Sequence, residues 1–257
     1  MSKIKLAILG CSGRTGSKIL SHGLLDDRIE IVGGLVSKNS RFLGNDLSVI
    51  VDHDKKTGIL ATSDLSLAIQ NADVIIDFSS KEITNELIDN ANEFLKNRKL
   101  IIGVTGFDED FNEKLLNVSN NHVIFKSSNM SIGIGLICEF LKRYSRVLND
   151  EYEIIINDIH HKNKKDSPSG TALMLKHSLE ISNNAQNIQI NSSRISDIKG
   201  IHEIMMIDEC ETISIRHDVS DRKIFAVNSL KIAHWIHKIS RNGLYHMNDF
   251  LEFGAEV

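Results

Sequence analysis

Between positions 158 and 171 the chain reads Asp158-Ile159-His160-His161-Lys162-Asn163-Lys164-Lys165-Asp166-Ser167-Pro168-Ser169-Gly170-Thr171. Two adjacent imidazoles can hand over protons near neutral pH. Three lysines add positive charge. A helix opening on Ser169-Gly170-Thr171 presents backbone N–H groups without helical partners, together with the positive end of the helix dipole, and so suits an anion. These residue types fit a substrate site for a carboxylated or phosphorylated small molecule. A solvated charged loop is the plainer alternative from the residues alone. No metal is expected at His160-His161, because neighbouring residues at a strand end point to opposite faces and no third ligand stands near in sequence. The lysines lack the aromatic platform that single-stranded nucleic acid stacks on.

The elements that must hold this loop are an apolar strand-like run at 152–156 and an apolar helical pattern from Ala172. A second chemical signal lies at the N-terminus. Residues 3–9 form a short buried-strand pattern, Gly10-Cys11-Ser12-Gly13-Arg14-Thr15-Gly16 follows, and Ile19, Leu20 and Leu24 recur with helical spacing. Strand, glycine turn and helix in this order fit a dinucleotide-binding turn. Cys11 reads as a small packed residue, since no histidine nearby in sequence would activate it. The next strand, 29–36, ends where NAD-binding sites carry an acid for the ribose hydroxyls. Ser37 stands there instead, with Lys38 adjacent and Arg41 close by, which suits the 2′-phosphate of NADPH better than NADH.

Alternation continues. Strands are expected at 72–78, 100–107 and 122–125, with helices carrying Leu87, Ala91 and Leu95, and then spanning 108–116. Their carboxyl ends hold small or hydroxylic residues, which in a doubly wound sheet line the ligand crevice. A long helix is expected from Ile132 to Asn149 as the connection into a second domain. Beyond the charged loop, 187–191, 202–206, 212–217 and 224–226 read as strands, antiparallel in flavour, with a hairpin around Asp208-Glu209. Leu230, Ala233, Trp235 and Ile236 read as a helix, and 244–253 as a tail, both returning to the first domain.

At 257 residues with 41% hydrophobic and 25% charged content, the chain has the composition of a soluble globular protein. No apolar stretch is long enough to cross a bilayer, and the start lacks a signal-peptide core, so a cytoplasmic location is expected. A net charge of −4 argues against a general nucleic-acid binder. Cys11, Cys138 and Cys210 are widely spaced and form no Cys-x-x-Cys pair, which argues against disulfides and a thiolate zinc site.

Three stretches in one order go beyond a lone glycine motif: Gly10 through Gly16 as quoted above, Gly103-Val104-Thr105-Gly106-Phe107, and His160-His161 through Lys164 to Asp166-Ser167-Pro168-Ser169-Gly170-Thr171-Ala172. Together they resemble the dihydrodipicolinate reductase family. Ser127-Ser128-Asn129-Met130-Ser131-Ile132-Gly133 resembles a family stretch that lines the nicotinamide pocket, and the region from Phe225 through Trp235 to Leu251 also matches. The resemblance covers essentially the whole chain, and the His-His-x-x-Lys-x-Asp-x-Pro-Ser-Gly-Thr element is its most specific part.

The resemblance implies an α/β fold. A Rossmann-type doubly wound parallel sheet domain would comprise 1–129 and 229–257, and a mixed α/β domain for substrate binding and tetramerisation 130–228. It implies NADPH- or NADH-dependent reduction of 4-hydroxy-tetrahydrodipicolinate, a small dicarboxylate, to tetrahydrodipicolinate in diaminopimelate and lysine biosynthesis, by a homotetramer with no nucleic-acid or membrane partner. His160 matches the general acid and Lys164 a second catalytic residue. His161, Ser169, Gly170 and Thr171 match positions around the substrate carboxylates. Cofactor contacts fall on Gly10, Cys11, Ser12, Gly13, Arg14, Thr15, Lys38, Gly103, Val104, Thr105, Ser127, Ser128, Asn129 and Met130. Two other readings stay open: another two-domain NAD(P) oxidoreductase acting on a carboxylated imine or aldehyde, and a non-enzymatic dinucleotide-binding redox sensor.

Overall fold

The structure, a computed structural model, describes residues 2–147, 152–181 and 188–254. Contacts divide the chain into two compact units, Met1–Met130 with Phe225–Val257, and Ser131–Ile224. In chain order the first unit contributes β1 (Ile4–Leu9), α1 (Gly16–Gly23), β2 (Ile29–Leu35), α2 (Ser48–Val51), α3 (Leu65–Ile69), β3 (Val74–Asp77), α4 (Lys81–Asp89), α5 (Ala91–Phe94), β4 (Lys99–Ile102), α6 (Glu109–Ser119) and β5 (Val123–Lys126). The second holds α7 (Ile132–Tyr144), a 3-10 turn (Ser145–Val147), β6 (Glu153–His160), α8 (Gly170–Glu180), β7 (Ile188–Arg194), β8 (Ile201–Ile207) and β9 (Thr212–Asp218). Then come α9 (Lys223–Lys238), β10 (Gly243–Tyr245) and α10 (Met247–Phe253).

Six strands of the first unit lie in the order β10-β5-β4-β3-β1-β2, and every neighbouring pair is parallel. A parallel sheet is covered on both faces, which is why β1, β3 and β4 read as nearly unbroken apolar runs. Leu9, Ile75, Leu100, Ile102 and Ile124 pack with Leu87 of α4 and Phe111 and Leu115 of α6. From β1 the chain moves out to β2 and then crosses back to β3 on the other side. That reversal makes β1 and β3 the switch point, where doubly wound sheets open a crevice at the strands' carboxyl ends.

The C-terminal elements complete this unit. β10 pairs with β5, and Trp235 of α9 sets its ring edge-on to Phe125, Tyr245 and Phe250. Residues 224–226, expected as a strand, lie inside α9. Ala226, Leu230, Ala233 and Ile236 are buried along one helical stripe, and a three-residue apolar run cannot by itself separate strand from helix. The strand expected at 100–107 ends at Ile102 and gives way to a loop. The helix expected to carry Leu87, Ala91 and Leu95 is broken at Asn90, whose side chain bonds back to the Glu86 carbonyl and leaves α4 and α5 separate.

The second unit is a four-stranded sheet, β7-β6-β8-β9. β8 is antiparallel to both its neighbours, but β6 and β7 run parallel. The antiparallel expectation is corrected at that pair: α8 lies between β6 and β7 in sequence, and a helical crossover returns the chain in the same direction. Ile154, Ile156 and Ile204 pack under Ile134, Leu141, Leu175 and Leu179 of α7 and α8. Along β6 burial alternates, so Ile154, Ile156, Asp158 and His160 share the covered face. The expected end of the first helix at Asn149, and position 187 of the expected strand, lie outside the described residues. No helix among the described residues is long and apolar enough to cross a membrane.

Candidate active site

At the switch point of the first unit the crevice is framed by backbone and small residues. Gly10 has φ +75°, and a Cβ there would stand 2.5 Å from the Phe78 carbonyl oxygen. A Cβ on Gly16 would lie 2.1 Å from the Gly10 oxygen, so only glycine lets α1 start this close to the turn. Gly103 is held close as well, its Cβ position falling 2.3 Å from the Phe78 ring. Phe78 thus sits between the turns after β1 and β4, a packing role that its isolated sequence position did not reveal. Below it Asp77 is fully buried. Burial pushes its carboxyl up, opposed by donation from the Ser79 and Thr84 hydroxyls and the Ser79 N–H.

The predicted cofactor residues divide by exposure. Gly13 and Arg14 are exposed and Ser12 and Thr15 half-buried at the start of α1, while the Gly13 N–H closes the turn on the Gly10 carbonyl at 2.9 Å. Cys11 is fully buried, and both its N–H and its thiol point at the Leu35 carbonyl. Burial pushes the thiol up to about 12, consistent with a packed residue. Lys38, with Ser37 and Arg41, is exposed just past β2. Val104 is half-buried and Thr105 exposed after β4. Past β5, Ser127 is buried and its hydroxyl donates to the Asn129 carbonyl at 2.7 Å, shaping a loop in which Ser128 is exposed, Asn129 half-buried and Met130 buried. A glycine-permitted turn at the switch point, opening on an exposed helix start, fits a dinucleotide pyrophosphate.

In the second unit the strand register does the assembly. Opposite Asp158 stand Ser192 on β7 and His202 on β8, and opposite His160 stands Arg194. One Asp158 oxygen, Oδ2, accepts from the Ser169 N–H at 2.9 Å, the Ser192 hydroxyl at 3.1 Å and Arg194 at 3.2 Å. The other, Oδ1, lies 2.9 Å from His160 Nδ1 and 3.4 Å from His202 Nε2. Both of these contacts are bent away from hydrogen-bond linearity. Burial raises the Asp158 carboxyl, but contacts from His160, His202 and Ser169 outweigh it and hold the group well below the usual carboxylate range. His202 is pushed down by burial, only partly offset by Asp158.

Lys164 sits in the loop after His160, its amine 2.8 Å from Asp166. Arg194 also donates to the Asp166 carbonyl at 2.6 Å, tying that loop back to β6. Ser169 is buried, its hydroxyl capping α8 at the Ala172 N–H and lying 3.2 Å from His202 Nε2. His161 and Thr171 are half-buried. Gly170 is exposed, and a Cβ there would meet nothing within 4 Å, so the helix start lies open to an approaching anion. Of the residues predicted here, His160, Lys164, Ser169 and Gly170 thus gather around the β6 end and the α8 start.

Asp158, His202 and Arg194 were not singled out from sequence. Asp158 left a signal, since residues two apart on a strand share a face. His202 and Arg194 arrive from other strands and left none. Donor atoms of Asp158, His160 and His202 lie within 4.8 Å of one another, a set able in principle to ligate a divalent transition metal. A dication there would face Arg194, which already neutralises the carboxylate, so the arrangement favours proton chemistry.

Residues 4–130 match the family model described as dihydrodipicolinate reductase, N-terminus, and residues 133–251 the one described as dihydrodipicolinate reductase, C-terminus. The chain belongs to the dihydrodipicolinate reductase family. A 4-hydroxy-tetrahydrodipicolinate reductase from Wolbachia sp. subsp. Brugia malayi (strain TRS) is 33% identical, with 97% of this chain and 100% of the relative covered. One from Bartonella tribocorum (strain CIP 105476 / IBS 506) is 34% identical over 96% of this chain and 98% of its own. Among solved structures, dipicolinate-bound dihydrodipicolinate reductase from Paenisporosarcina sp. TG-14 superposes with a TM-score of 0.77 at 20% identity, covering 96% of this chain and 99% of that one. The motif resemblance and the expected fold class, a doubly wound parallel sheet with a second mixed domain, are both borne out. Membership places the chain among oxidoreductases that use a nicotinamide dinucleotide.

Proposed function

We propose that this chain reduces 4-hydroxy-tetrahydrodipicolinate to tetrahydrodipicolinate in diaminopimelate and lysine biosynthesis, with NADPH preferred over NADH. Full-length family membership supports the reaction, and the observation that carries the residue roles is the His160 cluster beside the open start of α8. When bound at the glycine turn, the reduced nicotinamide supplies a hydride. The 4-hydroxyl leaves as water, His160 supplies the proton that accompanies the hydride, and general-acid catalysis of this kind contributes about 10²–10⁴-fold. Lys164 balances substrate charge near the reacting ring. His161, Gly170 and Thr171 receive the carboxylates, with buried Ser169 shaping the α8 start beneath them.

In this reading Gly10 to Thr15, Lys38, 103–105 and 127–130 serve the cofactor, and the second unit serves the substrate. Ser37 in place of an acid, with Lys38 and Arg41 exposed beyond β2, supports the NADPH preference. Assembly as a homotetramer is supported by the uncovered face of the second sheet, where Ile155, Ile159, Met205 and Ile207 are only half-buried. A cytoplasmic location belongs to the same reading.

The test is a coupled assay that feeds the upstream synthase product to the protein and follows NADPH absorbance. Turnover is expected, and His160→Gln is expected to lower kcat/KM by about 10²–10⁴-fold with NADPH still bound. Absence of NADPH consumption by the unaltered protein sinks the reading.

A further inference from the structure

A buried ionised carboxylate is costly unless its charge is used. Asp158 is fully buried. Its Oδ2 is saturated by Ser169, Ser192 and Arg194, while Oδ1 has no aligned donor among the described residues and faces His160 Nδ1 at 2.9 Å and His202 Nε2 at 3.4 Å. On its far side the His160 ring looks toward Gly200, where a Cβ would stand 3.1 Å from Nε2. A side chain at position 200 would crowd Nε2, and glycine keeps that edge of the ring clear of one.

We propose that Asp158 is the positioning residue of His160: it keeps a proton on Nδ1 of the neutral ring and so leaves Nε2, on the Gly200 side, as the nitrogen that meets the substrate. The inference rests on the functional reading only in taking His160 as the acid. Fixing one ring nitrogen by a carboxylate determines which nitrogen is left to do chemistry.

The charged surroundings single out Asp158. Around His160 stand Asp158 on its own strand, Arg194 opposite it on β7 and His202 on β8 with His217 beyond it on β9, and His161, Lys164 and Asp166 follow it in the loop. Asp158 and Asp166 are the acids of that set, and Asp166 is engaged by Lys164 at 2.8 Å. Arg194, bonded to Oδ2, locks the carboxylate in place without occupying the oxygen that faces the ring.

Protein labelled with ¹⁵N in its histidines tests this without substrate. The His160 signals are those lost in His160→Gln. In the unaltered protein the neutral His160 ring is expected to carry its proton on Nδ1. In Asp158→Ala, which removes the acceptor, the neutral ring is expected to lose that preference and sample both tautomers, kcat/KM is expected to fall by about 10–100-fold, and NADPH affinity should stay unchanged. A neutral ring protonated on Nε2 in the unaltered protein, or the same Nδ1 preference kept in Asp158→Ala, overturns the proposal. If Asp158→Ala does not fold, the tautomer in the unaltered protein decides alone. A lost tautomer preference in a protein that never turns over the ring substrate upholds the positioning role and defeats the reduction reading instead.

Discussion

Two strand ends, that of β1 in the first unit and that of β6 in the second, are built on opposite plans. After β1 the chain offers backbone: glycines at 10, 13 and 16, with the one nearby thiol turned inward. After β6 it offers side chains: Asp158, His160, His202 and Arg194 converge with Lys164 and Asp166 close by. A site on the first plan would recognise a ligand by how near the backbone lets it come, so its errors would be steric. A site on the second would recognise and react by charge and proton position, so its errors would be chemical and could leave the fold standing.

Substitutions that exchange these two kinds of failure test the contrast. The largest effect belongs to Gly16→Ala, whose Cβ would be forced to within 2.1 Å of the Gly10 oxygen. A loss of roughly 3 kcal/mol or more is expected, read by thermal melting together with lost cofactor binding. A Gly16→Ala protein that melts and binds NADPH normally would break the steric half of the comparison. Lys164→Ala should act the other way. Removing a charge-assisted contact worth roughly 1.5–3 kcal/mol lowers kcat/KM by about 10–150-fold, while Tm stays nearly constant because the amine is loop-borne and its ion pair is with Asp166 of the same loop. A large fall in Tm with an unchanged rate would reverse its assignment. Lys38→Ala marks the smallest effect. For an exposed lysine, a contact worth about 0.2–1 kcal/mol translates into at most a roughly fivefold loss with NADPH and none with NADH. Equal losses with both cofactors would remove Lys38 from 2′-phosphate recognition.

The same division governs how much could be read before the fold was known. The glycine turn, the strands around it and the His160-to-Thr171 element are local patterns, in which each residue's neighbours in sequence are also its neighbours in space. Asp158 was halfway legible, since strand alternation alone puts it beside His160. His202 and Arg194 were not, because only the register of β6 with β8 and β7 brings them in. Residues 224–226 misled for a related reason: three apolar residues fit a strand or a helix, and the burial of the following turns of α9 decided between them. The parallel pairing of β7 follows from the helical crossover that precedes it, which apolar alternation within the strand does not register.

The last strand carries a consequence for how the molecule is made. β5 ends at Lys126 and takes its outer neighbour, β10, only from residues 243–245, while Lys99 of β4 is held by the carbonyls of His237 and Ile239. A chain emerging from the ribosome therefore exposes an unpaired parallel edge throughout synthesis of the whole second unit. That second unit, contiguous in sequence, is free to fold in the interval. The first unit, although its synthesis begins first, is completed last, and a nascent chain stalled after β9 presents β5 as a sticky edge for chaperones or for another copy of itself.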